Sequence, residues 1–331
     1  MNEALAKVAA AYDKRRVLVT GASGFIGGSL AAALANTGCF MRRHSRRDLP
    51  LFGNPKAQIE DIRGDSHDPD LWHDAVRGID VIFHCAAQTS AYAAVSDPIS
   101  DLRANVELPL RILEAARAAG TRPTFVLAST ATVVGLPARL PVDETHAPAP
   151  VTAYDLGKWV AENYLELYAR LGHISGAALR LANVYGPGAG PSSPDRGVLN
   201  QAVRLALSGK PIVLYGDGDW TRDYVFIDDV AAAFLQTGLS GARTNGQAFF
   251  VCSGAGLTVS AAFRKVVEIV RAQTGRETTI THAPLPEGLL SIEFRNFVGR
   301  WDALARATGW RPTTNFEDGI ARTVEAFQSS L

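Results

Sequence analysis

The sequence predicts an α/β protein: a doubly wound parallel sheet with a smaller mixed α/β lobe towards the C-terminus. Three observations predict it. Short apolar runs alternate with helical patterns through the first half, the rhythm of βαβ units. The first run, Val17-Leu18-Val19-Thr20, passes straight into the glycine turn Gly21-Ala22-Ser23-Gly24-Phe25-Ile26-Gly27. Beyond Gly186-Pro187-Gly188 the texture turns to Pro, Gly and Ser, then to shorter elements. The expected division is 1–185 for the sheet domain and 186–331 for the second lobe, interleaved with the first.

The elements follow in order. Val17–Thr20 is the first strand, and the helix after the glycine turn runs through Ala35. Residues near Cys39–His44 make a second strand in a basic setting, with Arg42, Arg43, Arg46 and Arg47 close together. Val81–His84 and Thr124–Ala128 are apolar enough for buried strands, and Ala177–Leu181 supplies a further one. Helical periodicity covers Leu102–Ala119 and Tyr154–Leu171.

Of 331 residues, 47% are hydrophobic and 20% charged, which suits one large core with an appended lobe. The 33 basic and 33 acidic residues cancel, so a nucleic acid or an anionic membrane finds no electrostatic support. Cys39, Cys85 and Cys252 are odd in number and far apart, as small hydrophobes in a reducing compartment would be, and no metal spacing is seen. The first sixteen residues lack the apolar stretch of a signal peptide. A cytoplasmic protein is expected.

Two runs carry chemistry. A helix N-terminus leaves backbone N–H groups unpaired and carries partial positive charge, so a pyrophosphate sits there favourably. Glycines 21, 24 and 27 allow the tight turn, the close approach to phosphate and the close packing of helix on strand. Their spacing departs from the usual GxGxxG, and an ordinary strand-to-helix connection is the bland alternative; the readable strand and helix on either side favour a Rossmann-type dinucleotide turn. Tyr154 and Lys158 stand at i and i+4 on one helix face. An ammonium there favours phenolate, lowering a pKa of about 10 towards the range where protons are traded with a hydroxyl. The alternative is a surface pair at helical spacing. Together the runs point to hydride transfer at an alcohol or ketone carbon.

Further landmarks fall at strand ends: Asp61-Ile62, His84-Cys85-Ala86-Ala87-Gln88, Ser129-Thr130-Ala131-Thr132 and Asn183-Val184-Tyr185-Gly186-Pro187. Later come Tyr215-Gly216-Asp217-Gly218 and Thr221-Arg222-Asp223-Tyr224. With these, the chain from about Arg16 to Arg311 resembles the extended short-chain dehydrogenase/reductases, in their nucleotide-sugar epimerase/dehydratase branch. The resemblance implies an NAD(P)(H) cofactor, a nucleotide-diphosphate sugar substrate and a homodimer paired through the two long helices. It implies that Tyr154 is the acid/base, that Lys158 tunes it and binds the nicotinamide ribose, and that Thr130 hydrogen-bonds the reacting hydroxyl. Ser23, Phe25 and Ile26 join the glycines of the phosphate turn. Asp61 and Ile62 resemble the pair at the adenine; Ala86, Ala87, Gln88 and Asn105 would line the cofactor groove, with Val184 near the nicotinamide. Thr132 and Asn183 would serve the substrate, Arg222 its diphosphate, and Val198 and Leu199 its base.

The departures bear on the reaction. The acid that holds the adenosine ribose is replaced near Ser45, and Arg46 and Arg47 follow. Arginines attract a 2′-phosphate, which favours NADP(H) over NAD(H); a solvated loop with NAD is the alternative. Ala131-Thr132-Val133 carries no carboxylate, against a 4,6-dehydratase, and Val134-Gly135 replaces the usual Tyr-Gly. The C-terminal arginine of the diphosphate site is not evident, with Arg295 and Arg300 available instead. His84 is read as a structural hydrogen-bonder, and Asp228-Asp229 as helix capping. The expected activity is nucleotide-sugar epimerisation, at C4. An NADPH-dependent 4-keto-sugar reductase and a non-catalytic cofactor-binding scaffold are the alternatives.

Overall fold

The structure, a computed structural model, describes residues 3–66, 68–189 and 197–329. Much of the Pro-, Gly- and Ser-rich stretch after Gly188 lies outside them.

The strands are β1 (Arg16–Thr20), β2 (Phe40–His44), β3 (Gln58–Ile62), β4 (Val81–His84), β5 (Thr124–Thr130), β6 (Ser175–Leu181), β7 (Asn183–Tyr185), β8 (Ile212–Tyr215), β9 (Thr221–Phe226), β10 (Gln247–Val251), β11 (Gly256–Thr258) and β12 (Ile280–Ala283). Seven form one sheet in the order β10-β6-β5-β4-β1-β2-β3, every pair parallel. The chain winds outwards from β1 in one direction and from β4 in the other. Between these neighbours lies the switch point, where a crevice opens at the carboxyl ends of the strands. β10 comes from beyond residue 186 and closes the far edge. A second sheet joins β11, β9 and β7, and β12 pairs with β8.

Burial on both faces explains the continuous apolar strands. Along β1, Val17 and Val19 pack with Leu30, Leu34 and Phe234. Leu18, pointing the other way, packs with Trp72, Ile112 and Leu165. A separate core under the smaller sheets gathers Leu199, Val203, Phe226, Val266 and Ile320. No described helix is long and apolar enough to cross a membrane.

Two expectations are corrected. The helix read over Leu102–Ala119 is Pro98–Leu102 and Leu108–Ala119 joined by a π turn at Arg103–Glu107. Pro109 has no N–H to give the carbonyl four residues back, which loosens the α ladder there. Asp228 and Asp229 do not cap their helix, whose N-cap residue Phe226 makes no side-chain cap bond. Asp228 pairs with Arg322 at 2.5 Å, while Asp229 takes the Thr313 hydroxyl and the Thr314 N–H at 2.7 and 2.9 Å. Both carboxylates pin the C-terminal segment to the body of the fold.

Candidate active site

A cavity of about 1190 Å³ occupies the switch point. Gly21, Ser23, Gly24, Phe25, Ile26 and Gly27 form its floor. Gly21 has φ +67°, and a Cβ there would lie 2.7 Å from the Ala86 nitrogen. A Cβ on Gly27 would lie 2.3 Å from the Gly21 oxygen. The turn is therefore closed to side chains, and its open surface is the backbone at a helix start, as a pyrophosphate needs.

Most of the expected residues meet at this cavity. Past β2 stand Ser45, Arg46 and Arg47; past β4, Ala86 and Ala87; at the end of β5, Thr130, and just past it Thr132. Tyr154 and Lys158 come from the helix Ala153–Arg170, which starts where the Thr152 hydroxyl accepts the Asp155 N–H. Asn183, Val184, Val198, Leu199 and Arg222 complete the opposite wall. Ser23 and Ser45 hydroxyls touch at 2.5 Å, linking the glycine turn to the basic loop.

Four expected residues are absent from the wall. Asp61 pairs with its cross-strand neighbour Arg43, and Ile62 packs into the core beneath. On that side the wall is made by His44 and Ser66 instead. The available signal was the end of β3 at Ile62: ligands bind beyond strand ends, so the contact residues should follow it. Gln88 and Asn105 turn to the buried Asp101, each donating an amide N–H to its Oδ1 at 2.8 Å. They brace the cavity from behind. Of the two C-terminal arginines, Arg295 reaches the wall, while Arg300 pairs with Asp302.

Arg222 is nearly buried and pairs with neither Asp223 nor Asp228. Its guanidinium donates to the carbonyls of Glu293, at 2.8 Å, and Arg295. This ties β9 to the segment bearing Arg295, whose own guanidinium approaches the Asn183 oxygen at 3.4 Å. Tyr215, Trp220 and Tyr224 add aromatic lining; Tyr215 and Tyr224 stand in the landmark runs with no role expected of them, and Trp220 lies outside those runs.

The catalytic side of the cavity is buried, with Tyr154 7% and Thr130 8% exposed. Lys158 is 3% exposed and donates to the Ala128 carbonyl at 3.1 Å. Burial pulls its ammonium down to about 8, against the opposing pull of Asp101. His84, fully buried, is driven down to about 3 by burial and then by Lys158, so it is neutral. Its Nδ1 meets the Thr20 hydroxyl at 2.9 Å, a structural bond. Burial pushes the Cys85 thiol up to about 12, which disqualifies it as a nucleophile. The Thr130 and Thr132 hydroxyls lie 2.7 Å apart.

A parallel sheet with a glycine cradle at its switch point, facing a tyrosine and a buried lysine across one cavity, defines a dinucleotide-dependent oxidoreductase. The chain belongs to the NAD dependent epimerase/dehydratase family, whose model matches residues 17–251. A UDP-glucose 4-epimerase of Mycolicibacterium smegmatis is 33% identical over 95% of this chain and 99% of its own. The crystal structure of a UDP-glucose 4-epimerase with UDP-glucose from Thermotoga maritima superposes with a TM-score of 0.84. It is 28% identical and covers 95% of this chain and 99% of that one. The UDP-glucose 4-epimerase of Thermus thermophilus, in complex with NAD, gives 0.81 at 31% identity, covering 96% and 100%. The protein is an enzyme that works with a nicotinamide cofactor.

Proposed function

We propose that this protein is a nucleotide-sugar epimerase that oxidises and re-reduces the C4 hydroxyl carbon of a UDP-sugar. The observation that carries this reading is the meeting of Thr130, Tyr154 and Lys158 with the glycine cradle in a single cavity. The bound nicotinamide would supply hydride acceptance and return. The chain's own residues supply the rest. Tyr154 takes the proton of the reacting hydroxyl and later gives it back. Lys158 holds a positive charge one helical turn away, in a buried site where charge acts strongly. Thr130 makes the second hydrogen bond to the reacting oxygen. Arg222 and Arg295, with Asn183, suit the diphosphate. Ala131, Thr132 and Val133 offer no carboxylate for removing water.

Arg46 and Arg47 on the wall favour NADP(H) at the adenosine end, and with it a second reading, an NADPH-dependent keto-sugar reductase. The identity and exchange rate of the copurifying cofactor separate the two. A tightly held cofactor with interconversion of UDP-glucose and its 4-epimer supports the epimerase; reversible NADPH binding without interconversion supports the reductase. Tyr154→Phe is expected to abolish turnover and keep cofactor binding. Substantial residual turnover would remove Tyr154 from the mechanism.

The protein pairs with a second copy through the helices Pro98–Leu102, Leu108–Ala119 and Ala153–Arg170. Ile99, Leu102 and Leu156 stand exposed along them, with Val95 on the preceding helix Ala91–Ser96, an apolar face that a partner copy would cover. Its free, separated cysteines suit the cytoplasm.

A further inference from the structure

Between β12 and the short turn Ser291–Phe294, residues 284–290 cross the cavity as a strap. Leu285, Pro286, Glu287, Gly288 and Leu289 all line the cavity, and the first four are also exposed, so the strap stands between the cavity and water. Pro284 and Pro286 have no N–H to donate. Among the described residues, no backbone hydrogen bond ties 285–289 to another part of the protein. Two leucines hold the strap instead, one at each end. Leu285 lies against Gly216, where an added Cβ would sit 3.2 Å from its Cδ2. Leu290, partly buried, packs onto the cluster of Ala91, Ala94 and Tyr154. Beyond Leu290 the chain is fixed again. The Leu290 carbonyl accepts the Glu293 N–H at 2.9 Å, and Arg222 holds the carbonyls of Glu293 and Arg295. A segment with so few ties between firm ends opens locally at small cost.

We propose that residues 284–290 open to admit and release the nucleotide sugar, and that Leu285 and Leu290 are the two latches that keep the keto-sugar inside until hydride returns. This rests on the epimerase reading. Between the two hydride steps the sugar is a ketone and must turn its other face to the nicotinamide. The turning ring needs room, which a strap unbonded to its neighbours can give, and a shut mouth, which the two leucines supply. Loss of the ketone at that stage is a dead end. The two electrons from the sugar carbon stay on the nicotinamide, the hydroxyl proton passes through Tyr154 to water, and the keto-sugar nucleotide leaves. The opening rate of the strap therefore sets both the release of product and the frequency of this loss.

The test begins with UDP exchange on the full-length protein, loaded with its cofactor and followed by rapid mixing. Leu290→Ala is expected to speed UDP entry and exit alike by about fivefold to tenfold, the worth of one partly buried leucine contact, with affinity kept within about twofold. Leu285→Ala should do the same. Leu285 is 42% exposed and lies outside the Tyr154 cluster, so its truncation spares the fold and a shared effect does not come from a displaced Tyr154. The second measurement is the fraction of nicotinamide left reduced after many turnovers on UDP-glucose, read from its near-ultraviolet absorbance, with the free keto-sugar nucleotide detected by mass spectrometry. Both should rise in the two variants by a similar factor. Unchanged entry rates in both variants would overturn the proposal, as would faster exit alone, which would make the leucines mere binding contacts. Faster exchange without added ketone loss would overturn the retention role. UDP exchange needs no turnover, so these exchange results leave the epimerase reading standing. That reading fails separately, if the wild type does not interconvert UDP-glucose and its 4-epimer.

Discussion

Both carboxylate oxygens of Asp61 accept hydrogen bonds from the Arg43 guanidinium, each at 2.8 Å. The arginine side chain is 3% exposed and the carboxylate 34%. The pair holds the edge strand β3 to β2 and keeps Asp61 off the cavity wall. Asp61→Ala is expected to lower stability by ~1–3 kcal/mol, because it strands a buried charge that is only partly reached by solvent. Cofactor affinity should change by less than about twofold, as for a separate site. Thermal denaturation and cofactor titration on the same variant check both; a selective loss of cofactor affinity would return Asp61 to the binding site.

Arg46 and Arg47 are exposed but face the cavity, beside the Ser23–Ser45 contact. Replacing both with Ala should weaken NADP(H) by about tenfold or more relative to NAD(H), since each removes a charge-assisted hydrogen bond to a 2′-phosphate. Titrations with both cofactors at two salt concentrations are the measurement. Equal losses for the two cofactors would discard the preference.

Lys158 links catalysis to stability. Its folded-state value is about 8 against an ordinary 10.5, because burial penalises the ammonium. Between these values the unfolded chain holds the proton and the native chain does not, so this residue's contribution to stability improves as pH rises through that window. Below it the buried charge costs ~3 kcal/mol, an order-of-magnitude figure. Lys158→Met is therefore expected to raise the melting temperature at neutral pH while abolishing turnover, and the stability difference from wild type should shrink above pH 8. A variant that is less stable at neutral pH would show that Asp101 repays the burial.

Ile99 is 60% exposed and Leu156 46%. An aspartate at both positions places charge on the face through which two copies would meet, at little cost to the isolated fold. Light scattering should then read the mass of one chain where the wild type reads two. A wild type that already runs as a single chain would end the dimer proposal.

Much of this architecture was legible because it is written in local periodicities. Continuous apolar runs give strands buried on both faces, and β1 and β4 emerge where those runs lie. Helical spacing alone brings Tyr154 and Lys158 to one side of a helix, and the glycine turn announces its own position between strand and helix. Other expectations misplaced a side chain while naming the right neighbourhood. Asp61-Ile62 resembles a pair at the adenine, yet the strand ends at Ile62 and the cavity lining begins beyond it, at Ser66. The resemblance puts Gln88 and Asn105 in the cofactor groove, yet both amides turn to Asp101.

By itself, then, the sequence determined five of the strands, the glycine turn and the tyrosine–lysine spacing, since each depends on residues close along the chain; the edge strands β3 and β10 did not stand out. Only the tertiary structure decided which polar partners were chosen. Arg43 meets Asp61 because parallel pairing sets them side by side. Arg222 is bound to carbonyls more than seventy residues away, and Thr132 finds Asp155 across a strand and a helix. Such choices arise from competition among distant groups for a few buried hydrogen bonds, and no local spacing records which of them wins.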